Sequence, residues 1–248
     1  MAQKERADQL LFLNTFADSR EGAKRLVMAG LVYYEISSGN FVRVEKPGTK
    51  YPVDSVFEIR GREQFVSRGA YKLLTAIEGF SLPIDGMVAL DAGASTGGFT
   101  DCLLQHGAAK VYAVDVGHAQ LHEKLKNDPR VISMEKTNLR DAPPDLLPET
   151  VDIITADVSF ISLTLVLPGC VQFLKEGGYV AALVKPQFEL GPEAAPKGVV
   201  RDEVLQRQAV EKVTSYAEEH LGLELLGVLP AAVKGPKGNQ EYMAVWRK

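Results

Sequence analysis

The chain has 248 residues, of which 46% are hydrophobic and 24% charged, with a formal net charge of −4. That balance suits a soluble globular protein and excludes disorder, collagen-like repeats and a disulfide scaffold; at roughly 150 residues per domain it predicts one large or two unequal domains. Apolar runs are strand-sized and fall well short of the ~20 residues of a membrane-spanning helix, so no membrane association is expected. Met1 to Leu13 mixes Lys4, Glu5, Arg6 and Asp8 with a short Leu10-Leu11-Phe12-Leu13 run and has no cleavage-type site, which predicts a cytoplasmic protein without a signal peptide. From Ser19, an N-cap type of residue, Ala23, Leu26 and Val27 share one face until Gly30, predicting a short amphipathic helix. Leu31 to Tyr34, Asn40 to Val44 and Ser55 to Ile59 then read as short strands, with a turn at Lys46-Pro-Gly.

Residues 1–60 hold nine Lys/Arg and eight Asp/Glu, and the remainder is net acidic, so any nucleic-acid contact must come from local patches. Arg20, Lys24 and Arg25 present their charges on neighbouring helical turns, which by charge alone is a solvated face. Residues 61–66 read as a connector. Beyond it, strand-like runs alternate with helical ones: Val88 to Leu90, Val111 to Val114, Val131 to Ser133, Val151 to Ala156, Tyr179 to Val184, Leu225 to Leu229 and Tyr242 to Trp246. This order predicts an α/β domain with a mostly parallel sheet, closed by an antiparallel last pair. Cys102 and Cys170 read as reduced, buried thiols.

Asp91-Ala-Gly93-Ala-Ser95-Thr-Gly97-Gly98-Phe99 follows the first of these strands and leads into a helix, so backbone N–H groups at the helix start can approach a ligand closely. The spacing is neither the Gly-x-Gly-x-x-Gly dinucleotide pattern nor a phosphate loop. Asp115 ends the next strand, where a carboxylate accepts hydrogen bonds from ribose hydroxyls. The acids around this glycine loop favour S-adenosylmethionine over NAD. Asn138, after the third strand, falls where an adenine would lie in such folds, or it caps the next turn. We assign Asp91, Gly93, Ser95, Gly97, Gly98, Phe99, Asp115 and Asn138 to the cofactor.

Asp157 ends the fourth strand and Lys185 the fifth. Ligands in open α/β sheets bind at the carboxyl ends of strands, so these two should meet beside the cofactor, as catalytic groups or as a structural ion pair. Lys72, on the helix before the first strand, and Glu241, entering the last, complete the set. His118 and His122, four apart on an expected helix, read as a surface pair, and no metal is expected. Pro186 to Asp202 reads as a long irregular segment.

The order Lys72, Asp157, Lys185, Glu241 around Asp91-x-Gly-x-x-x-Gly-Gly resembles the Lys-Asp-Lys-Glu tetrad of FtsJ/RrmJ-like ribose 2′-O-methyltransferases. Ser19-Arg, Ala23-Lys-Arg-Leu, Ala29-Gly-Leu-Val and Lys46-Pro-Gly-Thr resemble the ribosomal-protein-S4-like RNA-binding domain. Joined to Ser67-Arg-Gly-Ala-Tyr-Lys-Leu, Val184-Lys-Pro-Gln-Phe-Glu and Gly238-Asn-Gln-Glu-Tyr, these segments resemble the TlyA family, often labelled hemolysin A. The resemblance implies a Rossmann-like class I S-adenosylmethionine-dependent methyltransferase domain (67–248) behind a small S4-like α+β RNA-binding domain (1–60). It implies methylation of ribosomal RNA at cytidine 2′-hydroxyls, with ribosomal RNA or ribosomal subunits as partners, and we expect a monomer. In the small domain Arg6, Arg20, Lys24 and Arg25, around the connector Arg62 and Arg68, and beyond the catalytic strands Lys197, Arg201, Lys234 and Lys237 are the expected RNA contacts. A non-catalytic RNA-binding or assembly factor is the alternative; a membrane-lytic protein, which the hemolysin label suggests, finds no amphipathic or spanning segment here.

Overall fold

The computed structural model describes residues 3–17, 19–61 and 64–248, so Arg62 lies outside the described residues. The chain divides into two compact units, Met1–Gln64 and Phe65–Lys248.

In the small unit, β1 (Lys4–Arg6) leads into α1 (Ala7–Leu13) and α2 (Arg20–Met28), followed by β2 (Val32–Ser37), β3 (Asn40–Arg43), β4 (Lys50–Pro52) and β5 (Phe57–Ile59). The helix expected from Ser19 is α2: the Ser19 hydroxyl accepts from the Gly22 N–H at 3.0 Å, and Gly30 closes the helix in the left-handed region. Its apolar face, Ala23 and Val27, is buried against Leu10 and Leu11 of α1 and Val32 of β2. Strands β3-β2-β5 form an antiparallel sheet. A second ribbon pairs β1 with β4, Lys4 opposite Pro52. Sequence reading missed α1, β1 and β4, which are three to seven residues long and too short to show a period.

The large unit runs α3 (Ala70–Phe80), β6 (Val88–Ala92), α4 (Gly98–Gln105), β7 (Lys110–Val114), α5 (Glu123–Lys126), β8 (Val131–Met134), β9 (Val151–Ala156), α6 (Leu163–Val171), β10 (Leu174–Val184), α7 (Pro186–Glu189), α8 (Glu203–Leu221), β11 (Glu224–Pro230) and β12 (Tyr242–Arg247). Its seven-stranded sheet has the order β11-β12-β10-β9-β6-β7-β8. β8 through β10 pair in parallel, while β12 pairs antiparallel to both β10 and β11. Strand residues alternate between two cores: Ile153 faces the layer of Leu73 and Leu103, and Ile154 the layer of Leu167 and Val213. β10 begins at Leu174, earlier than expected, because its register shifts between Leu174 and Tyr179 where Gly177 and Gly178 interrupt the apolar run.

β6 has β7 on one side and β9 on the other, so the crossover connections step in opposite directions from β6 and a crevice opens at the carboxyl ends of these parallel strands. The irregular segment after Lys185 is partly ordered into α7 and two 3₁₀ turns, Pro192–Ala194 and Pro196–Gly198. His118 and His122 do not share a helix. His122 caps α5, and His118 reaches the Glu135 carboxylate at 2.6 Å.

Candidate active site

The β6–α4 loop lies over the crevice. Gly93 has φ +82°, and a Cβ there would come within 2.9 Å of the Asp157 carbonyl oxygen, so the turn beside β9 requires glycine. Gly98 abuts Ser67, whose hydroxyl oxygen would sit 2.7 Å from an added Cβ. Gly93, Ser95, Gly98 and Phe99 line a cavity of about 580 Å³. Gly97 caps α4 from the left-handed region and faces Leu125 instead.

A second cavity of about 400 Å³ continues past Gly93 and Ser95 to Asp115 and Asn138. The Asp115 carboxylate accepts from the Ser95 N–H at 2.8 Å and the Gly117 N–H at 2.7 Å, which binds the second strand's end to the glycine loop. Asn138 both borders this cavity and caps the 3₁₀ turn Leu139–Asp141 through the Arg140 N–H. Asp91 borders neither cavity. Fully buried, it accepts from Thr100 Oγ1 at 2.6 Å and Thr155 Oγ1 at 3.0 Å, and burial pushes its carboxyl up to about 6.

Four charged side chains converge on the larger cavity. Lys72 Nζ donates to Glu241 Oε2 at 2.6 Å, and Lys185 Nζ lies 2.5 Å from Asp157 Oδ1. The first pair is almost wholly enclosed, with Glu241 at 0% exposure, whereas Asp157 keeps 22%. Charges this deep persist because each faces its opposite. Sequence reasoning missed Ser159, whose hydroxyl accepts from Lys185 Nζ at 2.8 Å, and Gln187, whose Nε2 donates to Glu241 Oε1 at 3.3 Å. It also missed Phe160, a ring 91% exposed with φ +65° and 5.1 Å from the Phe188 ring, which borders both cavities. Their signal was present in the segments Asp157-Val-Ser-Phe160 and Lys185-Pro-Gln-Phe188, whose charged members alone drew notice.

The basic residues fall into three groups. In the small unit, Arg6 and Arg20 both contact the buried Asp8 carboxylate, at 2.8 and 3.3 Å, Lys24 pairs with Glu21 at 2.9 Å, and Arg25 is exposed. Arg68, Arg201 and Lys234 are exposed on the large unit. Lys237 borders the catalytic cavity and its Nζ donates to the Lys197 carbonyl at 3.1 Å. Among the described residues no group of three or more His, Cys, Asp or Glu side chains gathers as metal ligands would, and no helix is long and apolar enough to cross a membrane. Cys102 and Cys170 are buried free thiols, both pushed up to about 12 by burial.

A parallel sheet with an antiparallel last strand, a glycine loop after its central strand and an acid ending the next define an α/β protein of the Rossmann-like methyltransferase class. Residues 65–248 match the FtsJ-like methyltransferase family, and the chain belongs to it. The 16S/23S rRNA (cytidine-2′-O)-methyltransferase TlyA of Mycobacterium tuberculosis is 42% identical over 245 residues, spanning 98% of this chain and 89% of that protein. Hemolysin A of Brachyspira hyodysenteriae is 36% identical over 241 residues, 96% of this chain and 98% of its own. A solved structure described as a hemolysin from Streptococcus thermophilus superposes with a TM-score of 0.73 at 44% identity, covering 100% of this chain and 90% of that one.

Proposed function

We propose that this protein transfers the methyl group of S-adenosylmethionine to a ribose 2′-hydroxyl of ribosomal RNA, at cytidine. The observation that carries the reading is the meeting of two lysine–carboxylate pairs in a cavity that continues, past a glycine loop, toward a strand-ending acid.

The residues present fit the cofactor. Gly93, Ser95, Asp157, Ser159 and Phe160 border both cavities, so an elongated ligand can extend from one to the other. Each Asp115 oxygen accepts one backbone N–H and retains a lone-pair site for a ribose hydroxyl. Gly93, with no side chain, lets backbone N–H groups approach the ligand. When bound, S-adenosylmethionine supplies an electrophilic methyl carbon on a sulfonium.

The protein's part is alignment and proton handling. A ribose hydroxyl is a weak nucleophile, and in-line placement removes much of the entropic barrier. Lys185 Nζ donates to the Ser159 hydroxyl and forms an ion pair with Asp157, and a remaining N–H is available for the 2′-oxygen. That bond turns a lone pair toward the methyl carbon. The Asp157 carboxylate of the Lys185–Asp157 pair takes the hydroxyl proton as the 2′-oxygen accepts the methyl group, the bonding electron pair being kept by sulfur. Lys72 and Glu241 close the cavity wall and hold Gln187.

Residues 1–60 act, on this reading, as an S4-like unit that docks on folded RNA through Arg6, Arg20, Lys24 and Arg25. Arg68, Lys197, Arg201, Lys234 and Lys237 of the large unit add phosphate contacts, with Arg62 a further candidate by sequence, positioning the substrate while RNA shape selects it. The test is incubation of the purified protein with labelled S-adenosylmethionine and ribosomes from cells lacking the modification. We expect label in rRNA at an alkali-resistant 2′-O-methyl cytidine; RNA binding without incorporation would reduce the protein to an assembly factor.

A further inference from the structure

Two loops carry the reacting side chains. The β9–α6 loop holds Asp157, Ser159 and Phe160, and the segment leaving β10 holds Lys185, Gln187 and Phe188. Their near ends meet through the Lys185–Asp157 and Lys185–Ser159 contacts. Their far ends meet at Glu189. This last residue of α7 is 4% exposed and borders neither cavity. Its Oε1 accepts from the Leu163 N–H at 2.9 Å, and its Oε2 accepts from the Ser162 hydroxyl. Both donors stand at the start of α6, where backbone N–H groups lack partners within the helix and favour a negative charge. From behind, α8 supplies Lys212, which donates to the Glu189 carbonyl at 2.6 Å and stands 4.0 Å from the carboxylate.

A buried carboxylate is an expensive way to fill a core position, since an apolar side chain of the same volume packs there without desolvating a charge. Glu189 is therefore explained by what it ties together. The loop it grips holds Phe160 at φ +65°, a conformation that a bulky residue adopts only when its surroundings enforce it. Released at Ser162, that loop could relax and carry Asp157 and Ser159 away from Lys185.

We infer that Glu189 is a positioning residue for methyl transfer: by clamping the start of α6 to the end of α7, it fixes the two loops whose side chains align the ribose hydroxyl. The inference rests on the proposed 2′-O-methyl transfer. It adds a residue that touches neither substrate nor cofactor and acts through Ser162 and Leu163.

The test measures kcat, KM for undermodified ribosomal subunits, S-adenosylmethionine affinity by calorimetry and melting temperature for the full chain and its variants Glu189→Ala, Glu189→Gln, Ser162→Ala and the Glu189→Ala/Ser162→Ala double. Misplacement on the ångström scale costs on the order of 10²-fold in rate, so Glu189→Ala should lose about that much kcat while cofactor affinity changes little. Glu189→Gln should recover most of it, because its amide oxygen still accepts from Leu163. The double variant should be no slower than Glu189→Ala alone, as two residues of one clamp are not additive. Should Glu189→Ala fail to fold, Ser162→Ala and Glu189→Gln carry the test, with a kcat loss at unchanged cofactor affinity expected for Ser162→Ala. Wild-type kcat in Ser162→Ala or Glu189→Ala overturns the clamp, as does a parallel fall in kcat, cofactor affinity and melting temperature that glutamine does not reverse. Failure of the unsubstituted protein to methylate the subunits would instead refute the underlying reaction.

Discussion

Lys185 and Lys72 each face one carboxylate, yet their environments differ enough to separate chemistry from stability. Glu241 is sealed at 0% exposure, so Lys72→Met strands a buried charge, a change that costs about 3–5 kcal/mol in comparable pairs. Asp157 keeps 22% exposure, and water can take over part of the role of Lys185 when that lysine is removed. Lys185→Met should therefore abolish methyl transfer while thermal stability and S-adenosylmethionine binding survive, and Lys72→Met should lower the melting temperature by several degrees. Calorimetry, thermal melting and single-turnover methyl transfer on the two variants check this, and near-normal turnover in Lys185→Met would remove that residue from the mechanism. Ser159 matters because its hydroxyl, beside a carboxylate that is only partly enclosed, accepts from the buried Lys185 ammonium and holds it in one orientation.

The elements around the crevice are joined by Asp91, which is the penultimate residue of β6 and accepts from Thr155 on β9 and Thr100 on α4. Burial raises its carboxyl from an ordinary 3.8 to about 6. Below pH ~4 the group is protonated folded and unfolded, and above ~6 it is ionised in both. Between these limits the folded chain binds the extra proton, so its contribution to stability is fully present at low pH and is lost as pH rises, by about 3 kcal/mol. Asp91→Asn has no such titration, so its stability relative to the unsubstituted chain should climb between pH 4 and 6.5 in paired urea denaturation series; a flat difference would mean that Asp91 ionises normally. This inward-facing role was not legible in the sequence, because an acid at a strand end reads alike whether it meets a ligand or two threonines. The sheet was legible, since strands buried on both faces are continuous apolar runs, and so were Asp157 and Lys185, charges that terminate such runs. The roles of Ser159 and Phe160 were harder to see, because uncharged loop residues have neither period nor charge contrast to mark them beside Asp157, and that of Glu189 because an acid at a helix end reads as a surface charge until its Ser162 and Leu163 partners are in place.

For the whole molecule, a net charge of −4 means that attraction to RNA must be built from patches. The candidates sit on both units, and they differ in what their removal leaves behind. Arg6 and Arg20 hold the buried Asp8, whose carboxyl lies below the ordinary carboxylate range chiefly through its bond to Arg6, so replacing them unsettles the small unit as well as any RNA contact. Lys24 and Arg25 sit on the outer part of α2, and Lys197, Arg201, Lys234 and Lys237 are exposed on the large unit. Each phosphate contact contributes about 0.7–0.9 to the slope of log affinity against log salt. Alanine at Lys24 and Arg25, or at the four large-unit positions, should flatten that slope in proportion to the contacts removed and leave S-adenosylmethionine affinity as it is. Filter binding of rRNA fragments across a salt series reads both. If the two units grip the same RNA, the decrements from the two sets add when combined; a slope moved by only one set assigns the docking to that unit alone, and a slope moved by neither clears all six residues of phosphate contact.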